Sequence, residues 1–184
     1  PKIMFHEYPD KIWNAGGIYY PYNAATKTIG YNKLDAKKYN EPKYVDWITG
    51  CCILLKSEII TEVGLLNEHF FAYYEDVDWS LRIRKLGYRL AYNPTLPILH
   101  KVGASSKNKN KTDEGFLSPF VHFLNIRNHI FMARLHIKGI HVINAHIYLL
   151  LKIIIYGVYF MLKGRRKKLN MSFKGYLEGY STQL

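Results

Sequence analysis

The segment Phe70-Phe71-Ala72-Tyr73-Tyr74-Glu75-Asp76-Val77-Asp78-Trp79 puts three carboxylates directly behind an aromatic run. If the acids open a helix, its free N–H groups and the positive end of its dipole favour their ionised form. An ionised carboxylate beside aromatic walls can take a proton from a sugar hydroxyl, and ring faces such as that of Tyr74 can stack on a pyranose. The same acids can equally do no more than cap the helix, since acidic first turns are common. Asp76 and Asp78 invite a metal reading, but side chains two apart on a helix point in different directions. His100 ends an apolar segment and could bind a divalent cation, relay a proton or sit satisfied in a core. Cys51 and Cys52 are adjacent, with neither disulfide nor zinc spacing, and are expected as buried thiols in a reducing compartment.

These residues need elements to hold them. Residues 13–42 are rich in Gly, Tyr, Asn and Lys without helical period, which predicts short strands and long loops. The apolar run Tyr44 to Leu55 reads as a buried central strand, with Trp47, Thr49 and Gly50 on it. Ser57 can cap a short helix over 58–63 that Gly64 ends. A second helix is expected over 75–86, stopped by Gly87, so Glu75, Asp76 and Asp78 fall in its first turn. Two extended segments, 88–92 and 96–100, flank the Asn93-Pro94 turn signal. Residues 103–118 read as a mobile loop, and Ser118-Pro119 as a helix start. Helices over 119–137 and 141–162 follow, the second leading into Lys163-Gly164-Arg165-Arg166-Lys167-Lys168. Strands and helices before 100 and helices alone after it indicate an α/β unit with a helical extension.

The chain has 184 residues, a net charge of +12 and 48% hydrophobic residues, which excludes a disordered basic tail. Residues 1–100 hold 12 Lys/Arg against 11 Asp/Glu, whereas 101–184 hold 14 against 3, so the surplus belongs to the C-terminal part. There, residues 142–162 are long enough to span a bilayer, but Lys152 sits mid-span, where insertion costs about 3 kcal/mol. His141, Ala145, Tyr148, Lys152, Tyr156, Tyr159 and Lys163 align as one comparatively polar stripe, which favours a helix lying in the interface. Lys152 and Arg165, Arg166, Lys167 and Lys168 then face an anionic membrane surface. A spanning helix and a dimerising bundle are the alternatives. A nucleic-acid-binding module is a further class, since basic residues interleaved with tyrosines can track phosphates, although an adjoining greasy helix argues against it.

Taken in order, Trp13-Asn14-Ala15-Gly16-Gly17, Val45-Asp46-Trp47-Ile48-Thr49-Gly50, Glu62-Val63-Gly64, Tyr74-Glu75-Asp76-Val77-Asp78-Trp79, Gly87-Tyr88-Arg89, His100-Lys101-Val102, Ser105-Ser106, Ser118-Pro119-Phe120 and Arg127-Asn128 resemble the C-terminal half of family 2 inverting glycosyltransferases, in particular the rhamnosyltransferase-like branch. The resemblance implies part of a GT-A, Rossmann-like α/β catalytic domain over 1–117 and a membrane-associated helical extension over 118–184. It implies Asp76 as the base that deprotonates the acceptor hydroxyl, Glu75 as its orienting partner, and Trp47, Thr49, Gly50, Tyr74 and Asp78 on the acceptor side. It implies transfer with inversion from a nucleotide sugar, dTDP-L-rhamnose being the suggested donor, to a bacterial surface polysaccharide or lipid-linked glycan. A divalent metal, Mg2+ or Mn2+, would escort the diphosphate; His100 would be one ligand, the main ligands lying in an N-terminal half that this sequence lacks. Lysines of the 103–118 loop would reach phosphate oxygens. The expected place is the cytoplasmic face of the bacterial inner membrane, with a homodimer as one arrangement. A silent scaffold that pairs with a separate nucleotide-binding half is the competing expectation.

Overall fold

The computed structural model describes residues 1–101, 103, 107–112 and 114–184, with 107–112 as backbone. Two compact units make up the chain: Pro1–Tyr19, Thr26–Glu68 and Glu75–Val102 form one, and Tyr20–Ala25, His69–Tyr74 and Gly103–Leu184 the other. Strands dominate the N-terminal part and helices the C-terminal part, so the architecture is mixed α/β with a helical extension.

The first unit contains β1 (Ile3–Phe5), β2 (Lys11–Asn14), β3 (Gly17–Tyr20), β4 (Ala25–Thr28), β5 (Lys33–Leu34), β6 (Lys43–Val45), β7 (Leu90–Tyr92) and β8 (Ile98–His100), with α1 (Ser57–Val63) and α2 (Glu75–Lys85). The tip of the β3–β4 hairpin belongs to the second unit. A four-stranded sheet runs β5-β2-β1-β8; β1 and β8 are parallel, aligning Phe5 with His100, and the other ladders are antiparallel. The core gathers Met4, Ile12, Ala15, Tyr39, Val45, Trp79, Ile83, Leu90 and Tyr92. Glycines end the helices as the sequence requires: Gly64 and Gly87 stand at φ 76° and 92°, left-handed values that branched side chains resist. Ser57 is the first residue of α1 rather than its cap; Lys56 precedes it without a side-chain cap bond.

The run after Val45 corrects the expected central strand. Regular pairing stops at β6, which meets β7 for three residues. Beyond it Asp46 and Trp47 N–H donate to Gly17 O in an isolated bridge, and later donors turn to side chains of α2: Ile48 N–H donates to Ser80 Oγ at 3.2 Å and Gly50 N–H to Asp76 Oδ2 at 2.8 Å. An apolar run reads alike whether its amides are satisfied by a ladder or by a helix's side chains. The run is therefore not sealed: Leu54 is 97% exposed. Cys51 is exposed and Cys52 half-buried, not the expected pair of buried thiols.

The second unit contains β9 (Lys107–Thr112), β10 (Gly115–Leu117), α3 (Pro119–His136), α4 (His141–Leu162) and α5 (Arg166–Ser181). Residues expected as a mobile loop include an antiparallel β9–β10 pair with Gly115 opposite Thr112. Val102, Ser105, Ser106 and the side chains of Lys107, Lys109 and Lys111 lie outside the described residues. Ser118 caps α3, its hydroxyl accepting from Val121 N–H, with Pro119 at the first helical position. α3 is buried from Val121 through Ala133 on most sides. The sequence reading missed α5, whose buried face, Lys168, Ser172, Gly175 and Gly179, is built of small residues and one lysine.

Candidate active site

Asp76 stands at the second position of α2, and its carboxylate is held from several directions. Oδ2 accepts Gly50 N–H at 2.8 Å and Oδ1 accepts Val77 N–H at 2.8 Å. The Gly50 backbone comes close to this side chain: a Cβ there would stand 3.4 Å from that of Asp76. Burial raises the Asp76 carboxyl above the ordinary range, opposed by the Gly50 and Val77 amides and Thr49. A carboxylate has about four lone-pair sites, so the two amide donors leave room for a further proton. Such a group is fixed in place and more basic than a solvated aspartate, which suits general base work.

Glu75 is raised as well, by burial first and the Asp76 charge second. Its Oε2 is buried and has no hydrogen-bond partner among the described residues. A buried carboxylate oxygen left unpaired is costly, and a donor from a bound molecule removes that cost.

The structure brings Thr49, Gly50, Glu75 and Asp76 together, and the other sequence-derived residues have partners of their own. Trp47 is 7% exposed; its indole N–H donates to Ile18 O at 3.2 Å, and its ring lies where a Gly17 Cβ would stand. Asp78 is 1% exposed and accepts from Arg82 Nε at 2.9 Å. Arg82 also donates to Val63 O and Leu65 O, and Trp79 to Gly64 O, so this face of α2 closes the end of α1. Tyr74, in the second unit, stacks on His129 with centroids 5.6 Å apart. His100 packs its ring on Trp13, centroids 4.4 Å apart. Among the described residues no three His, Cys, Asp or Glu side chains converge as a metal site. His100 by itself does not make one.

In the second unit, Arg127 and Asn128 do work that their place in a sequence pattern did not disclose. The loop His69–Tyr74 carries Phe71, Tyr73 and Tyr74 at φ 60°, 68° and 73°, where residues with a Cβ are strained. Asn128, fully buried, donates through Nδ2 to Phe70 O, Ala72 O and Tyr73 O at 2.9, 2.8 and 2.7 Å. Arg127 adds donations to His69 O and Phe70 O and pairs with Glu178 at 3.0 Å. Three left-handed residues without glycine within four positions were the available signal only once the backbone was seen.

Of the expected polar stripe of α4, Ala145 is buried and Lys152 and Tyr156 are half-buried, while His141, Tyr148, Tyr159 and Lys163 are exposed. Lys152 Nζ donates to His129 Nδ1 at 2.9 Å, so His129 carries its proton on Nε2 and donates to Asn23 O at 3.0 Å. Ala145, Leu149, Ile153, Gly157 and Phe160 are buried on the covered side, while Ile147, Leu151, Ile154, Ile155, Val158 and Leu162 are exposed. The helix is long and apolar enough, by length and composition, to associate with a membrane. Of the basic cluster, Arg166 and Lys167 are exposed, Arg165 is half-buried and Lys168 is buried.

No protein-family model matches the chain. It is 31% identical over 84 residues to an N-acetylglucosaminyl-diphospho-decaprenol L-rhamnosyltransferase of Mycobacterium tuberculosis, covering 46% of this chain and 26% of that protein. It is 25% identical over 108 residues to the low-salt glycan biosynthesis hexosyltransferase Agl10 of Haloferax volcanii, covering 59% of the chain and 33% of the relative. It is 31% identical over 74 residues to the rhamnosyltransferase WbbL of Escherichia coli K12, covering 39% and 28%. The chain thus spans about a quarter to a third of the length of these relatives. The similarity is distant, partial homology to family 2 glycosyltransferases of the rhamnosyltransferase kind, and it supports a general sugar-transfer function.

Proposed function

We propose that the chain is the acceptor-side part of an inverting, GT-A-type glycosyltransferase that uses a nucleotide sugar, with L-rhamnose from dTDP-rhamnose as the transferred group. The observation that carries this reading is the Asp76 carboxylate, pinned by the Gly50 and Val77 amides, raised by burial and left with room for a further donor. In the proposed reaction the acceptor hydroxyl oxygen bonds to the anomeric carbon while the bond from that carbon to the diphosphate oxygen breaks. The nucleoside diphosphate leaves with the electron pair, and the hydroxyl proton passes to Asp76. Glu75 orients the acceptor, its unpaired Oε2 taking a second hydroxyl. His100 is retained as one ligand of a divalent cation whose other ligands lie outside this chain. The acceptor is a surface polysaccharide or lipid-linked glycan, met at the cytoplasmic face of a bacterial inner membrane with α4 lying in the interface.

The test uses the whole protein. Asp76→Asn lowers sugar transfer about 10²–10⁴-fold, the contribution of a positioned base, while nucleotide-sugar binding by calorimetry stays unchanged. Because the base must be ionised and its carboxyl is raised, kcat/KM falls with decreasing pH already above the ordinary carboxylate range. Near-wild-type transfer by Asp76→Asn would overturn the assignment.

A further inference from the structure

We propose that a cavity in the helical unit binds the phosphate headgroup of an anionic membrane lipid. The cavity holds about 370 Å³ and is walled by β10, the start of α3, the C-terminal half of α4 and the first turn of α5. Arg165 and Lys168 supply its charge. Gly115 stands at φ 85°, and the place of its missing Cβ lies 3.4 Å from Arg165 Nη2 and 3.6 Å from Lys168 Nζ. Two cations therefore converge on one point, and the glycine leaves that point open. Lys168 is only 3% exposed, so one of the pair is largely removed from water. Like charges so placed repel, and an anion seated between them relieves both. The nearby carboxylate, Glu114, is turned to the start of α5, its oxygens accepting Lys167 N–H at 3.0 Å and Lys168 N–H at 3.1 Å.

A third donor completes the site. His122 Nε2 lines the cavity region, is buried and has no hydrogen-bond partner among the described residues. Phe160 meets its ring edge-on at 5.0 Å. Burial first, then Lys168 and Arg165, push the imidazole down to about 4, so the ring is neutral and can offer Nε2–H to a phosphate oxygen. The rim is of the opposite character: Phe116, Leu117 and Tyr159 line the cavity and are exposed, and Val158 and Leu162 continue the exposed apolar face of α4. A cationic floor below a greasy rim matches a phosphate that carries acyl chains, and a free phosphate has no use for such a rim. The choice of a lipid over free phosphate rests on the interfacial placement of α4 proposed above.

The whole protein is titrated with dihexanoyl phosphatidic acid and with inorganic phosphate by calorimetry, and floated with phosphatidylcholine vesicles with and without phosphatidic acid. The expected result is saturable binding of the short-chain lipid, tighter than inorganic phosphate, and flotation that requires phosphatidic acid. Lys168→Gln raises the Kd about tenfold or more, the loss of a charge-assisted bond. Arg165→Gln, at a half-buried position, gives the same loss should Lys168→Gln unfold, and Arg166→Gln with Lys167→Gln leaves soluble binding intact. Equal affinity for inorganic phosphate, or lipid binding indifferent to Arg165 and Lys168, overturns the lipid site. Soluble-lipid binding without flotation on any vesicle instead overturns the membrane placement, so the two failures are distinguishable.

Discussion

Two glycine-to-alanine substitutions in the helical unit should shift stability in opposite directions. Gly175 lies inside α5 and Gly157 inside α4, both buried. In an unconstrained helix either change gains about 1 kcal/mol, because alanine loses less backbone entropy. The space decides the rest. A Cβ on Gly175 would stand 2.5 Å from the Phe123 carbonyl oxygen and 3.1 Å from its carbonyl carbon and Cα. Those are backbone atoms of α3 and cannot rotate aside, so α5 must move off the seam. Overpacking of this kind costs about 1–3 kcal/mol, and losing contacts along the seam puts this case at the upper end. Gly175→Ala should thus destabilise by about 1–2 kcal/mol net, or about 3–6 °C in Tm at this chain length. A Cβ on Gly157 meets Phe173 at 3.5 Å and Leu169 at 3.8 Å, ordinary contact, and keeps the full gain of about 1 kcal/mol, about 2–4 °C upward. Differential scanning fluorimetry on the two variants reads the sign directly. Shifts in the same direction would refute the helix packing given for α3 and α5.

Two more outcomes follow from the buried polar groups of the same unit. Asn128→Leu keeps the volume but removes the donor shared by Phe70 O, Ala72 O and Tyr73 O, releasing a loop with three left-handed residues; it should cost about 2–4 kcal/mol by urea denaturation and speed hydrogen exchange at 70–74, and a cost near zero would show that the loop is held otherwise. Burial, and after it Lys152, push the His129 imidazole from 6.5 down to about 3, so between those values the unfolded chain binds the proton and the folded one does not; stability should be full above about pH 6.5 and fall as pH drops toward 3, and His129→Gln should flatten that slope in acid titrations followed by circular dichroism.

Helix ends were legible because local chemistry settles them: Ser118 caps, Pro119 opens, and Gly64 and Gly87 take left-handed backbone. The place of Asp76 and Glu75 in the first turn of α2 was legible for the same reason. What holds Asp76 was not, since the Gly50 amide reaches it across 26 positions of sequence and only where the expected strand gives out. α5 escaped because its buried face carries no large apolar period. It packs through Ser172, Gly175 and Gly179, residues that a periodicity search counts as loop-like and that form a helix here because α3 lies close enough to need them.

The proposed interfacial placement of α4 no longer leans on the cost of Lys152. That cost, about 3 kcal/mol at mid-span, applies to a lysine facing lipid, whereas this one donates to His129 inside its own unit. The neighbours of α4 are what oppose spanning. The stripe Ala145, Leu149, Ile153, Gly157 and Phe160 is covered by protein along the length of the helix, so crossing a bilayer would carry α3 and α5 in with it. α3 brings exposed Arg134, and α5 brings exposed Arg166, Lys167 and Lys174, each costing about 3 kcal/mol at depth. The outer face of α4 pulls the other way: Ile147, Leu151, Ile154, Ile155, Val158 and Leu162 are each at least half exposed, and full burial of such side chains gains about 1.5–3 kcal/mol apiece. A helix that gains on one face and would lose on everything behind the other settles at the boundary, greasy face down, with Arg166 and Lys167 at the level of the headgroups.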